Sequence, residues 1–175
     1  MKKLFLFLSI ASIAATVYIN KDTHPGKRDE TATINTLLDS WHTAAARADY
    51  DGYFGKISDK GRFIGTDATE NWDKAAFSAF SKPFFDKGKA WDFKTLERNI
   101  YFSKDGKTAW FDELLDTWMK VCRGSGVLEK EGKEWKIKHY VLSMTVPNDV
   151  TQQVLPLKAK IEDKLIEELK AKKKK

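Results

Sequence analysis

The residues from Thr108 to Thr145 are the part of the sequence that most constrains the fold. They read TAWFDELLDTWMK, then VCRGSGVLEK, then the turn Glu131-Gly132-Lys133, then EWKIKHYVLSMT. Each run is rich in aromatic and β-branched residues and is bounded by glycine or charge, which is typical of antiparallel strands. The stretch therefore predicts three consecutive strands of one sheet.

The last of these strands alternates between apolar and lysine side chains. One face carries Trp135, Ile137, His139, Val141 and Ser143, and the other begins with Lys136 and Lys138. An apolar face opposite lysines predicts that the first four residues are buried on the concave side and that the lysines are exposed. The covered side also holds the polar residue His139, with Arg123 and Glu113 as further candidates, which indicates a pocket rather than a plain core.

The charge distribution argues against a nucleic-acid partner. The formal net charge is +6, but Lys2, Lys3 and the tail at residues 156–175, with its eight lysines and four carboxylates, account for all of it. The rest of the chain is neutral, so it lacks the broad positive surface that phosphate backbones attract. With 175 residues and 42% hydrophobic content, the chain is expected to form one domain with a sizeable core.

Residues 1–20 are predicted to be a signal peptide or an N-terminal anchor. Lys2 and Lys3 precede an apolar run at residues 4–19, with small residues near its end. A signal peptide cleaved after Ala14 or Ala15 would have a short hydrophobic region. An uncleaved anchor would have about 16 apolar residues, which is marginal for a bilayer that needs roughly 20. Both alternatives predict export, to the periplasm or the outside of the cell.

The segments that flank the strands show helical spacing. Residues 21–29 are predicted to be a polar linker, before a helix with the apolar stripe Ile34, Leu37, Leu38, Trp41 and Ala45. A short second helix with Tyr53, Phe54 and Ile57 follows, and then a short strand at residues 61–66. A third helix begins near Glu70. Residues 91–102 are predicted to be a strand that ends in a hairpin turn with Asp105-Gly106.

Residues 148–175 are predicted to be a separate Lys/Glu-rich helix. Its stripe consists of Val154, Leu157, Ile161, Leu165 and Leu169. The helix is expected to dock this stripe on the domain or on a partner, with Lys172 to Lys175 in solvent. These lysines are either a solubility feature or a weak contact with anionic lipid headgroups.

The order of helices and strands predicts an α+β domain, and short motifs connect it to a known family. The motifs are Trp41, Phe63-Ile64-Gly65-Thr66-Asp67, Glu70, Trp72, Asp105-Gly106, Ala109-Trp110-Phe111, Arg123-Gly124-Ser125-Gly126-Val127-Leu128 and Trp135-Lys136-Ile137. In order and spacing, residues 30–147 resemble the SnoaL-like family of the nuclear transport factor 2-like superfamily. The resemblance implies a cone-shaped domain, with N-terminal helices on a strongly curved, mostly antiparallel sheet and a pocket inside. The superfamily includes polyketide cyclases, ketosteroid isomerases, dehydratases and many non-catalytic binding or dimerising modules, so the fold alone does not specify an activity.

An enzyme of this kind needs a base near a carbon acid and a donor for the developing enolate oxygen. The candidate bases are Asp112, Glu113 and His139, and the candidate donors are Tyr53, Tyr140 and Arg123. Strand alternation directs only one of the two adjacent carboxylates inward, and Glu113 is favoured. The alternative role for Glu113 is a partly buried salt bridge with Arg123 on the neighbouring strand.

Metal and disulfide chemistry are not indicated. His139 is either a catalyst or a hydrogen-bonded core residue, and the other histidines, His24 and His42, have no ligand spacing to it. No metal and no cofactor are therefore expected. The single cysteine, Cys122, cannot form an internal disulfide and is expected to be a small buried strand residue.

The aromatic content favours a small apolar or ring-bearing ligand. The residues expected to line the pocket are Trp41, Tyr53, Phe63, Trp72, Trp110, Glu113, Arg123 and His139. Two functions remain open from the sequence. The first is an exported, non-catalytic binding or dimerising module that forms a homodimer. The second is a cofactor-independent isomerase, cyclase or dehydratase acting on an enolisable ring substrate.

Overall fold

The computed structural model describes residues 25–173, which fold into helices around one curved sheet. The helices are α1 (Pro25–Ala46), α2 (Tyr50–Phe54), α3 (Lys74–Asp86) and α4 (Thr151–Lys172), with a 3-10 turn at Asn148–Val150. The strands are β1 (Ile57–Ile64), β2 (Asn71–Asp73), β3 (Lys94–Phe102), β4 (Thr108–Thr117), β5 (Lys120–Glu131) and β6 (Glu134–Met144). The predicted signal or anchor at residues 1–20 lies outside the described residues.

The described strands form one sheet in the order β2-β1-β6-β5-β4-β3. Strand β1 runs parallel to β6, and the other neighbouring pairs are antiparallel. The turns between consecutive strands contain Gly106 and Gly132 at φ values of 67° and 66°, a backbone region that glycine enters without steric cost. The predicted α+β class and the succession of three antiparallel strands from Thr108 onward are confirmed.

Helix α1 packs its predicted stripe against the concave side of the sheet. Ile34, Leu38 and Ala45 are fully buried and Trp41 is 1% exposed. The sheet supplies the opposite half of the core, including Phe111, Leu115, Leu128 and Ile137, together with Cys122, whose predicted burial is confirmed. Burying each large apolar side chain contributes roughly 1.5–3 kcal/mol, so this contact is the main reason the helix stays on the sheet.

A β-bulge changes which side chains of β6 face inward. Val127 of β5 pairs with His139 but the next residue, Leu128, pairs with Ile137, so Lys138 is an extra residue on β6. One extra residue reverses the alternation beyond it. Trp135 and Ile137 are buried as predicted, but the next inward residues are Tyr140 and Leu142. The predicted burial of His139 and Val141 on the concave side is therefore wrong, and both are half-buried on the outer face.

Lys136 and Lys138 are half-buried rather than exposed. Each ammonium group lies beside a carboxylate, at 3.0 Å from Glu134 and 3.3 Å from Glu129 respectively. Long lysine stems commonly cover apolar surface while their charged ends stay near water.

Three predicted element boundaries differ from the structure. Helix α1 begins at Pro25, so part of the segment predicted as a linker at residues 21–29 is helical. Ile57 begins strand β1 instead of ending the second helix. The residues predicted to open the third helix form β2, and α3 starts only after Asp73, whose carboxylate accepts a hydrogen bond from the backbone N–H of Ala76 at 2.8 Å. An aspartate N-cap of this kind fixes the helix start more strongly than the periodicity does.

Helix α4 forms as predicted but does not bury its stripe on the domain. None of its described residues is buried, and Leu157 and Ile161 are 63% and 76% exposed. The expected docking on the domain is therefore wrong, while docking on a partner stays a prediction. Within residues 25–173, no helix combines the length and apolar character that crossing a bilayer requires.

Candidate functional site

The open end of the cone contains an apolar cavity of about 260 Å³. It lies between α3, the segment before β3, the start of β2 and the turn that joins β4 to β5. The residues that line it are Phe63, Gly65, Thr66, Glu70, Trp72, Phe77, Phe80, Phe84, Ala90, Trp91, Phe93, Trp118, Met119 and Leu142. Aromatic rings thus form most of its wall.

The aromatic rings of the wall hold one another in place. The Phe63 and Phe77 rings stack with centroids 3.9 Å apart, and the Trp72 and Phe80 rings stack at 4.7 Å. Stacked pairs add about 0.5–1.5 kcal/mol beyond the area that they bury, so the wall is preorganised. Three aromatic residues at the cavity mouth, Phe80, Phe84 and Trp118, are 45%, 44% and 81% exposed, and we call them the apolar rim.

Glu70 is the single ionisable side chain among the described residues that line this cavity. Its carboxylate accepts a hydrogen bond from the backbone N–H of Asp67 at 3.1 Å and lies directly over the Cα of Gly65. A Cβ at position 65 would lie 2.1 Å from a Glu70 oxygen, so a larger residue there would displace the carboxylate from this position. Glu70 thus organises the β1–β2 loop at the cavity mouth.

A second feature lies deeper, where Glu113 of β4 meets three polar side chains. Nε2 of His42 donates to Oε1 of Glu113 at 2.8 Å, and the Tyr140 hydroxyl donates to the same oxygen at 3.1 Å. Nε and Nη2 of Arg98 donate to Oε2 at 2.9 and 2.8 Å. We call these four residues the Glu113 cluster. Both carboxylate oxygens therefore accept two hydrogen bonds each, and Glu113 itself is 1% exposed.

The electrostatics keep Glu113 ionised and Tyr140 protonated. Burial opposes ionisation of Glu113, but the hydrogen bond and charge of His42, together with Arg98, outweigh it and hold the pKa of Glu113 below its usual value. Burial and the adjacent Glu113 carboxylate raise the pKa of Tyr140 well above its usual value. Arg98 also donates to Asp39 at 2.8 Å, so its guanidinium bridges α1 and β4.

We expect Glu113 to contribute stability that is lost in acid. Its folded-state pKa lies below the unfolded value of about 4.5, so the contribution is complete above that pH and disappears as the pH falls through the folded-state pKa. Urea unfolding curves of wild type and Glu113→Gln, collected from pH 7 downward, measure it. The difference between the two free energies of unfolding should shrink in acid, and a pH-independent difference would contradict the assignment.

A comparison of the sequence with known families identifies the domain. Residues 34–147 match the SnoaL-like domain. The chain belongs to the SnoaL-like family. No curated protein is detectably similar to it in sequence.

Solved structures share the fold of this SnoaL-like chain. A nuclear transport factor 2-like protein of unknown function from Pseudomonas putida superposes with a TM-score of 0.58 at 14% identity, covering 70% of this chain and 92% of its own. A proposed scytalone dehydratase from Novosphingobium aromaticivorans gives a TM-score of 0.61 at 9% identity, covering 71% and 89%. A proposed dehydratase of the same superfamily from Streptomyces avermitilis gives 0.61 at 8% identity, covering 69% and 99%. At these identities the likeness establishes the fold alone.

The eight residues predicted to line the SnoaL-like pocket occupy four different environments. Phe63 and Trp72 line the cavity, whereas Trp41 and Tyr53 are buried behind it in the core. Glu113 is buried in its own cluster. Arg123, His139 and Trp110 are not in the pocket, and Trp110 is 45% exposed and stacks on Tyr101.

The predicted salt bridge between Glu113 and Arg123 is wrong. In the β4–β5 hairpin Glu113 lies opposite Gly124, so Arg123 is opposite Leu114 and its side chain is exposed on the outer face. The neighbouring carboxylate, Asp112, is half-buried and accepts a hydrogen bond from Asn99 at 3.1 Å. Glu113 is thus the inward member of the pair, but its arginine partner comes from β3.

Two members of the cluster, His42 and Arg98, are not among the predicted site residues, although the sequence pattern around each indicates an inward position. His42 lies four residues after Leu38 and three before Ala45, so it continues the buried stripe of α1. Arg98 shares a strand face with Ile100 and Phe102, the apolar side of β3. Among residues 25–173, no group of three or more His, Cys, Asp or Glu side chains is placed to hold a metal ion.

Proposed function

We propose that this SnoaL-like protein is a non-catalytic binding module whose cavity takes a small, largely apolar or ring-bearing molecule. The observation that carries the proposal is the separation between the cavity and the buried acid–base groups. Aromatic residues line the cavity, while Glu113, His42 and Tyr140 are absent from its described lining and are engaged with one another.

The cavity suits a ligand that presents flat apolar surface. Its volume of about 260 Å³ is slightly below the usual range for ligand pockets, roughly 300–1,000 Å³, so the ligand should be small. The rings of Trp72 and Trp91 offer faces or edges for a ligand ring, and the few polar groups at the mouth, Thr66 and Glu70, can orient one polar end. A small ring system with a single polar substituent matches this arrangement.

The alternative is a cofactor-independent enzyme acting on an enolisable ring substrate. Such an enzyme needs a base with a free lone pair next to the bound substrate and a donor for the enolate oxygen. The oxygens of Glu113 are already occupied by Arg98, His42 and Tyr140, and the carboxylate at the cavity, Glu70, has no buried donor opposite it among the lining residues. The names of the dehydratase-like neighbours describe those proteins, and 8–9% identity does not extend them to this chain.

Binding of the fluorescent probe 8-anilino-1-naphthalenesulfonate tests the cavity assignment. We expect Trp72→Ala to weaken probe binding by about tenfold, because a lost ring contact costs roughly 0.5–1.5 kcal/mol in addition to the lost apolar area. Trp110→Ala is the matched control, since it removes an equally large ring from the outer face. Equal losses in the two variants would contradict the cavity as the binding site.

A search for turnover separates the two functions. Protein purified from its native host is denatured and its extract analysed by mass spectrometry for a co-purified molecule. That molecule is then incubated with fresh protein. Recovery of the molecule unchanged supports binding. Conversion of the molecule that is abolished by Glu70→Gln would show that the protein is an enzyme and would overturn the binding proposal.

We also propose that the protein is exported and forms a homodimer. The apolar run after Lys2 and Lys3 supports export, and intact-mass measurement of the protein from its host tests for removal of that run. Exposed Tyr101 and Trp110 on the outer sheet face support self-association. Sedimentation equilibrium tests it, and a monomer at high concentration would reject it.

A further inference from the structure

We propose that the apolar rim and helix α4 form one surface that docks on an anionic lipid bilayer and places the cavity mouth at the lipid. The inference rests on the proposed function, because it assigns the source of the ligand to the membrane. Its basis is a set of exposed apolar side chains that are continuous with the cavity and accompanied by positive charge.

The first observation is the exposure of the α4 stripe. Leu157 and Ile161 are 63% and 76% exposed, and Leu169 of the same stripe is 49% exposed. The helix spans 22 residues beside the domain but buries none of them. An amphipathic helix with its apolar side in water is stabilised by any surface that covers that side.

The second observation connects α4 to the cavity. A cleft of about 380 Å³ separates the helix from the β1–β2 loop, and Leu157, Ile161 and Leu165 line its helical side. Thr66 of that loop lines both this cleft and the cavity. The stripe of α4 therefore borders the same β1–β2 loop as the cavity that the apolar rim surrounds. The proposed lipid surface lies at this loop and contacts the stripe and the rim.

The third observation is the charge. Residues 156–175 carry a net charge of +4, whereas residues 4–155 sum to zero. Several carboxylates of the helix are paired locally, as in Lys158–Glu162 at 2.5 Å and Lys170–Glu167 at 2.8 Å. The four consecutive lysines at the end of the chain therefore attract an anionic surface, with each lysine raising the partition coefficient roughly fivefold.

The position of the Lys158–Glu162 pair favours a bilayer over a second protein. Both residues line the same cleft as Leu157 and Ile161. A helix packed tightly on this face would remove the pair from water, at a cost that such pairs seldom recover. At the depth of lipid headgroups, the lysine stem extends along apolar surface while both charges stay hydrated.

An environment-sensitive dye on α4 tests the proposal in the full chain. Ile161→Cys is labelled with the fluorophore NBD, which leaves native Cys122 unlabelled because that side chain is fully buried. Vesicles of equimolar phosphatidylglycerol and phosphatidylcholine should brighten and blue-shift its emission, and pure phosphatidylcholine should do so far less. The dye reports only its own surroundings, so partitioning of the apolar residues 4–19 does not produce this signal. NBD at Lys104→Cys, in the hairpin turn at the far end of β4 from Trp118, should not respond.

The charge contribution has a matched control. Lys172→Gln, Lys173→Gln and Lys174→Gln together should lower vesicle partitioning by about a hundredfold, from roughly fivefold per lysine. Lys104→Gln, Lys107→Gln and Lys133→Gln change the net charge equally at the other end of the cone and should have little effect. Equal losses in the two triple variants would overturn the proposal, since they would reflect net charge alone.

Two further results would overturn it. One is a dye at residue 161 that does not respond to anionic vesicles. The other is a vesicle-independent blue shift that grows with protein concentration, which would mean that a second copy covers α4. The probe-binding assay in vesicle-free buffer keeps the two proposals apart. If the probe still binds the cavity but the dye does not respond to vesicles, only the membrane-docking proposal is rejected. If binding of the probe does not depend on the cavity, the proposed binding function is rejected.

Discussion

Replacing Arg98 with methionine should lower the free energy of unfolding by about 3–5 kcal/mol. The substitution leaves the Glu113 carboxylate ionised in the core without the guanidinium that donates two hydrogen bonds to Oε2, and an unpaired buried charge is among the costliest defects in a protein. His42 and Tyr140 still donate to Oε1, so the carboxylate keeps half of its contacts. Urea unfolding at neutral pH measures the loss.

Two companion variants sharpen this test. Arg98→Met combined with Glu113→Gln removes the charge while an amide oxygen still accepts from Tyr140, so the double variant should recover part of the loss. Lys82→Met breaks an exposed ion pair with Asp86, for which the expected change is below about 1 kcal/mol. If Arg98→Met cost no more than Lys82→Met, Glu113 would not depend on its arginine, and the cluster would not be the anchor between β3, β4 and α1.

The elements that the sequence predicts well are those specified by local signals. The hairpin turns at Gly106 and Gly132 follow from glycine in a positive-φ turn, and the stripe of α1 follows from spacing alone. The inward choice of Glu113 over Asp112 follows from strand alternation within one strand. Each of these requires knowledge of only a few neighbouring residues.

The errors arise where a residue's environment depends on a partner strand. The bulge at Lys138 is visible only in the pairing of β5 with β6, and it moves His139 and Val141 to the outer face. The salt bridge was expected with Arg123 because that residue is near Glu113 across a short turn. The actual partner, Arg98, comes from the strand on the other side of β4, which sequence proximity does not indicate.

The lining of the cavity shows the same limit of prediction from local sequence. Phe63 and Trp72 were expected in it and line it, since both belong to the part of the chain that closes over the concave face. Trp118, the most exposed tryptophan of the described chain, lies in a tight turn and belongs to no periodic pattern that would direct it to the cavity mouth. Its position depends on where the β4–β5 hairpin ends relative to α3, a relation that only the assembled sheet defines.

Substituting alanine for Gly124 should destabilise the fold by about 3 kcal/mol. An added Cβ would lie 2.3 Å from the Tyr140 hydroxyl and 2.9 Å from Cγ of Glu113, so it would enter the centre of the cluster. Overpacking of a rigid core typically costs about 1–3 kcal/mol, and the hydroxyl cannot move away without losing its hydrogen bond to Glu113.

Double substitution distinguishes this clash from a general loss of glycine. Tyr140→Phe removes the nearest atom, so Gly124→Ala should cost less in the Tyr140→Phe background than in wild type, a coupling that thermal or urea unfolding detects. Gly106→Ala is the control for backbone strain alone, since position 106 has a φ of 67° and open space around it. Additive losses for Gly124→Ala and Tyr140→Phe would mean that the hydroxyl does not fill the space above Gly124.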